Sequence, residues 1–105
     1  MKILFDQGAP APLRAALVAH SVATAHEMGW STLTNGELLA AAEASFDALI
    51  TTDQNLKYQQ NIRGRVLAIL VLPTTSWPRI QRNLSQVTVA VDGLRPGDFV
   101  EVSFS

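Results

Sequence analysis

The sequence predicts a three-layer α/β fold, a doubly wound and mostly parallel sheet with helices on both faces. Three observations carry this reading. Short apolar runs recur at Lys2–Phe5, Ala48–Ile50 and Val66–Leu72, and they are continuous rather than alternating, as strands buried on both faces are. Helix-compatible segments separate them, which is the strand–helix alternation of a parallel sheet. Two of the three runs are followed within three residues by an aspartate, Asp6 and Asp53, at the strand ends where open α/β sheets place their ligands.

Composition sets the frame. A chain of 105 residues holds one domain, residues 1–105, with one core. A hydrophobic fraction of 48% fits a globular protein rather than a disordered one. No apolar run approaches the ~20 residues of a membrane helix, and no basic-then-apolar leader opens the chain, so a cytoplasmic protein without a membrane partner is expected. The chain lacks cysteine, which excludes disulfides and thiolate metal sites. A formal net charge of −1 gives no global sign of a nucleic-acid binder, so any such binding needs a local patch.

In order, Lys2–Phe5 is the first strand. Gly8, Pro10 and Pro12 end it and allow a helix over Leu13–Ala19, with Leu13, Leu17 and Val18 inward. His20–Ala25 alternates as a second strand, and His26–Thr34 is a loop. Thr34-Asn35-Gly36-Glu37 has the spacing of a capping box ahead of an alanine-rich helix, Leu38–Ala44. The third strand, Ala48–Ile50, runs into Thr51-Thr52-Asp53. Gln54–Ile62 reads as a polar helix ended by Gly64, and Val66–Leu72 as the central strand bounded by Pro73. Ser76 and Pro78 start a helix predicted over Trp77–Val91, with Ile80, Leu84, Val87 and Val91 inward. Leu94–Asp98 is a turn, and Phe99–Phe104 alternates as a last strand at a sheet edge that could also serve a homodimer.

A sheet order beginning 2-1-3-4 makes strands one and three neighbours and places the topological switch point between them, so Asp6 and Asp53 are expected to face one crevice. Glu37 opens toward the same edge. Three converging carboxylates repel one another unless a hard divalent ion, Mg²⁺ or Mn²⁺, neutralises them, and such an ion polarises phosphate and activates water. Each acid also has an ordinary explanation: Asp6 and Asp53 as solvated loop residues, Glu37 as part of a capping box. Thr52 is placed to support a carboxylate, unless it is only a good strand former. Asp47 and His20 fall at the opposite end of the sheet, Glu43 belongs to a solvated helix face, and His26 with Glu27 lies nearer the site in the loop. Among the cations, Lys57 and Arg79 are candidates to meet phosphates, with plain surface charge as the alternative; Arg63 and Arg65 are assigned to the surface.

The opening F-D-Q-G-A-P, the helix start T-N-G-E-L-L-A-A-A and I-T-T-D-Q-N-L together resemble the compact PIN-like domains, relatives of the bacterial toxin ribonucleases of the PilT N-terminus superfamily. The resemblance runs from Met1 to about Leu72. It implies metal-dependent hydrolysis of RNA, with Asp6, Glu37 and Asp53 as catalytic metal-binding acids, and a cognate antitoxin that covers the site; Thr52 and Asn55 are supporting candidates by their position beside Asp53. The chain departs from that pattern at Gln7, Asn35 and Asn55, where such proteins often carry acids. Two other classes are an inactive PIN-like module for protein binding, and a receiver domain with Asp53 as phosphoacceptor, Asp6 as metal ligand and Thr74 or Thr75 as switch hydroxyl. The receiver needs a lysine after its fifth strand, and the only lysines are Lys2 and Lys57.

Overall fold

A computed structural model describes residues 1–59 and 64–104. Five strands form one sheet: β1 (Lys2–Phe5), β2 (Ser21–Thr24), β3 (Ala48–Thr51), β4 (Ala68–Val71) and β5 (Phe99–Glu101), in the order β2-β1-β3-β4-β5. Every neighbouring pair is parallel. The expected order 2-1-3-4 and the edge position of the last strand are both present. The chain leaves β1 in one direction to β2 and returns past it to β3, so the switch point lies between β1 and β3.

The alternation of side chains across the sheet separates two packed layers. Ile3, Phe5, Ala48, Ile50, Ala68 and Leu70 point to one side. There they meet Leu13 and Leu17 from a 3₁₀ segment (Ala11–Ala16) and its exit, Ile80 from a helix we label α3 (Trp77–Arg82), and Val87 and Val91 from α4 (Leu84–Asp92). Leu4, Leu49, Ile69 and Val71 point to the other side. They are covered by Leu38, Leu39 and Ala42 of α1 (Asn35–Ser45) and by Leu56 of α2 (Leu56–Gln59). The sheet is thus flanked by helices on both faces.

Several boundaries differ from expectation for identifiable reasons. The helix expected over Leu13–Ala19 is the 3₁₀ segment instead: Pro10 and Pro12 set its start, and the turn closes with the Leu17 N–H on the Arg14 carbonyl rather than continuing. The helix expected over Trp77–Val91 is two, broken at Asn83, whose backbone (φ −117°, ψ 25°) leaves the helical region while its side-chain amide donates to the Arg79 carbonyl at 2.8 Å. α1 starts at Asn35, three residues before the expected Leu38, because the Thr34–Glu37 capping box is formed in both directions. β4 is confined to Ala68–Val71, and β5 to Phe99–Glu101. Of the helix expected over Gln54–Ile62, the turn 56–59 is present; residues 60–62, and Arg63, lie outside the described residues.

The amino-terminal end of the sheet is tied by polar side chains that take no part in the site described below. Asp47 accepts the Lys2 N–H at 2.8 Å, and His20 Nε2 lies 2.7 Å from Asp92 Oδ1. Glu43 pairs with Arg65 at 3.3 Å. No helix among the described residues is long and apolar enough to cross a membrane.

Because β4 packs on both faces between β3 and β5, truncating it is expected to be costly. Leu70→Ala, at a fully buried position, should lower unfolding free energy by about 2–5 kcal/mol. Val89→Ala, at a position 71% exposed, should change it by less than about 0.5 kcal/mol. Denaturant melts of the two variants check the assignment of inner and outer residues.

Candidate active site

β1 and β3 are paired with Phe5 opposite Ile50, so the next residues, Asp6 and Thr51, are also brought side by side. Both lie on the α1 side of the sheet by alternation with Leu4 and Leu49. The Asp6 N–H continues the ladder, donating to the Ile50 carbonyl at 3.1 Å. The Thr51 side chain, 1% exposed and the one polar residue buried among those described, donates its hydroxyl to Asp6 Oδ2. The same oxygen, Thr51 Oγ1, accepts the Asp53 N–H at 3.1 Å. One buried hydroxyl therefore fixes both aspartates.

Each remaining carboxylate oxygen has its own donor. Asp6 Oδ1 accepts the Gly8 N–H at 2.9 Å. Asp53 Oδ1 accepts the Asn55 N–H at 2.9 Å, and Asp53 Oδ2 accepts the Asn35 side-chain amide at 2.9 Å. Asn35 is the first residue of α1, so the start of that helix is joined directly to the end of β3.

Burial raises the Asp6 pKa above the ordinary carboxylate value; the bonds from Thr51, Gly8 and Ala9 oppose the rise, and the charge of Asp53 adds to it. The native protein holds the Asp6 proton to higher pH than the unfolded chain does. The fold accordingly loses stability as pH rises from the ordinary carboxylate range through the raised value, and is level above it.

Glu37 stands apart from the pair. Its Oε1 accepts the Thr34 N–H at 2.9 Å while its own N–H donates to Thr34 Oγ1 at 3.3 Å. The bonds to Thr34 lower its pKa, so its contribution to stability is present above the ordinary carboxylate range and is lost as pH falls through the lowered value. Among the described residues no group of three His, Asp or Glu side chains gathers. The residue α1 supplies to the acid pair is Asn35.

Thr52 and Gly8 explain where the open space lies. A β-carbon on Gly8 would collide with Thr52 Oγ1 and lie 3.3 Å from Thr52 Cβ. The loops after β1 and β3 are therefore in contact, and the gap expected at the switch point is filled. The open volume is displaced to the β1–β2 side. A crevice of about 740 Å³ is lined by Asp6, Gln7, Pro10, Thr24, His26 and Ser31 among others. A smaller hollow of about 240 Å³ adjoins it and is lined by Asp6, Gln7, Trp30, Leu33, Asn35 and Leu38 among others. Gln7 lines both, and its side-chain amide donates to the Ser31 carbonyl. Asp53 lines neither, a difference from the shared crevice expected.

The remaining candidates are placed as follows. Asn55 supports Asp53 through its backbone, with its side chain exposed. Lys57 Nζ pairs with Glu101 Oε1 at 2.8 Å. Arg79 is exposed in the first turn of α3, just beyond β4 at the carboxyl edge of the sheet. Residue-type reasoning passed over Thr51 and Asn35 as ligand supports, and left His26, Trp30 and Ser31 without a role. The legible signal was the two-residue alternation, which puts Thr51 rather than Thr52 on the face of Asp6.

Two outcomes follow from this geometry. In a carbon-detected NMR titration, Asp6 should titrate above an ordinary aspartate, and in Asp53→Asn its pKa should fall while staying raised, because burial is the larger cause. A return to the ordinary value would show that the charge of Asp53 dominates instead. Gly8→Ala should cost about 1–3 kcal/mol through overpacking against Thr52. Gly8→Ala combined with Thr52→Ala should cost less than the sum of the single changes, as measured by a double-mutant cycle.

No protein-family model, no curated protein and no solved structure matches this chain.

Proposed function

We propose that the protein is a metal-dependent ribonuclease of the PIN-like kind, with Asp6 and Asp53 as its central acids. The observation that carries this reading is the Thr51 hydroxyl, which donates to the Asp6 carboxylate and accepts the Asp53 backbone N–H, and so ties both residues to one place at the carboxyl edge of a parallel sheet. Two acids held near each other at that edge, their oxygens oriented by donors, would suit a hard cation. Mg²⁺ requires only one or two protein carboxylates when water and substrate phosphate complete its octahedron, so two acids would suffice without Glu37. A bound Mg²⁺ or Mn²⁺ would polarise the phosphodiester and activate water.

The chain's own residues supply the rest. Thr51, Asn35 and the backbone N–H groups of Gly8 and Asn55 hold the carboxylates in place. Burial makes Asp6 a stronger base than an exposed aspartate. Arg79, exposed at the same edge, is suited to meet a backbone phosphate. RNA in single strands is the substrate that best fits an open crevice at a sheet edge, because an unpaired chain can enter it with its bases splayed. A second reading, a PIN-like module that binds protein and does not cleave, is favoured by one observation: Glu37, the third acid expected, is occupied by its capping box.

The protein with Mn²⁺ or Mg²⁺ should cleave single-stranded RNA, and chelator should abolish the activity. Asp53→Asn should lower cleavage at least a hundredfold while the protein remains folded. Thermal melts should show stabilisation of the wild type by about 2.7 kcal/mol at a hundredfold excess of Mn²⁺ over its dissociation constant, and less in the variant. Cleavage that survives chelation, or Mn²⁺ raising both melting temperatures equally, contradicts the assignment; a folded wild type inert with every metal supports the binding module.

A further inference from the structure

The 240 Å³ hollow beside Asp6 is lined by unlike residues, the apolar Trp30, Leu33 and Leu38 together with the polar Asp6, Gln7 and Asn35. It is smaller than the ~300–1,000 Å³ clefts that enclose drug-sized ligands, which limits its occupant to about one ring system. A flat ring with an apolar face and a hydrogen-bonding edge matches such a site: aromatic side chains stack on nucleobases, and side-chain amides read their edges. We propose that this hollow is a nucleobase pocket that takes one unpaired base of the RNA.

The walls are built rather than incidental. Trp30 is half-buried and held by a T-shaped contact with Phe46, ring centroids 6.1 Å apart. Its backbone N–H donates to the Ala25 carbonyl at 2.8 Å, which closes the loop after β2 on the end of that strand. Among the polar lining residues, Gln7 is exposed and Asp6 is fixed by Thr51 and Gly8. A side-chain amide offers a donor and an acceptor, which match the edge of an unpaired base, since every base edge presents both. In the absence of a base the Gln7 amide donates to the Ser31 carbonyl, a bond the base edge replaces. The adjoining 740 Å³ crevice shares Asp6, Gln7 and Ser31 with the hollow, and gives the ribose-phosphate and the next nucleotide a path past the acid pair.

The inference rests on the ribonuclease reading for its substrate, but its test does not need cleavage. In a ¹H–¹⁵N titration of the wild type in excess chelator, adenosine 5′-monophosphate should shift the Trp30 indole resonance and the Gln7 side-chain amide saturably. Ribose 5-phosphate, which lacks the base, should bind roughly tenfold or more weakly. Gln7→Ala, a change at an exposed position, should reduce adenosine 5′-monophosphate binding by a similar factor with an unchanged melting temperature. Shifts of equal affinity for both probes, shifts confined to residues outside the hollow, or none at millimolar nucleotide would each overturn the pocket. Because no metal is present, these results stand whether or not RNA is cleaved; binding without cleavage would keep the pocket and remove the nuclease, and cleavage without binding would do the reverse.

Discussion

The site depends on a single buried hydroxyl. Thr51 ends β3 inside the sheet, and its oxygen is donor to Asp6 and acceptor for the Asp53 N–H at once. A buried hydroxyl without partners costs free energy, and a buried carboxylate costs more; here each satisfies the other. The arrangement also converts strand register into site geometry. Asp6 can reach Thr51 only because β1 and β3 pair with Phe5 opposite Ile50, and a slip of one residue would put the two side chains on opposite faces. Core packing therefore holds the acids together, since the register is fixed by Ile3, Phe5, Ala48 and Ile50 on one side and Leu4 and Leu49 on the other.

From that pair the surrounding residues take complementary roles. Asn35 ties α1 to β3, Gly8 brings the first loop against Thr52, and the crevice opens where neither of them fills space. Glu37 illustrates the competition between helix capping and site building. One carboxylate oxygen of Glu37 satisfies the Thr34 N–H at the start of α1. An amide in its neighbourhood, Asn35, carries no charge and stabilises Asp53 by donation, whereas an acid there would add a further like charge beside Asp6, whose pKa burial chiefly and the charge of Asp53 in smaller part already raise.

Most of the architecture was legible in the sequence because apolar continuity and helix punctuation act locally. The runs at Lys2–Phe5 and Ala48–Ile50, the capping box at Thr34–Glu37 and the serine cap at Ser76 each report their element directly. The break at Asn83 was hidden because Ile80, Leu84, Val87 and Val91 keep a helical spacing across it; a side-chain bond to the Arg79 carbonyl decides the matter. The 3₁₀ segment was hidden for the opposite reason, since two prolines permit a helix start without fixing its pitch. In the site, the strand-end positions of Asp6 and Asp53 were visible and the role of Thr51 was not. A threonine in a strand has an ordinary explanation until its register partner is known. The displacement of the crevice to the β1–β2 side follows from the contact of Gly8 with Thr52, a three-dimensional event with no local signature.

The central claim is that Thr51 organises the two aspartates into a cation site. Calorimetric titration of Mn²⁺ into the wild type, Thr51→Ser and Thr51→Val, each first shown to be folded by circular dichroism, tests it most directly. Serine keeps the hydroxyl and should keep the affinity to within a few-fold, whereas valine keeps the shape without the hydrogen bonds and should weaken Mn²⁺ binding at least tenfold. A folded Thr51→Val protein that binds Mn²⁺ as tightly as the wild type would contradict the account.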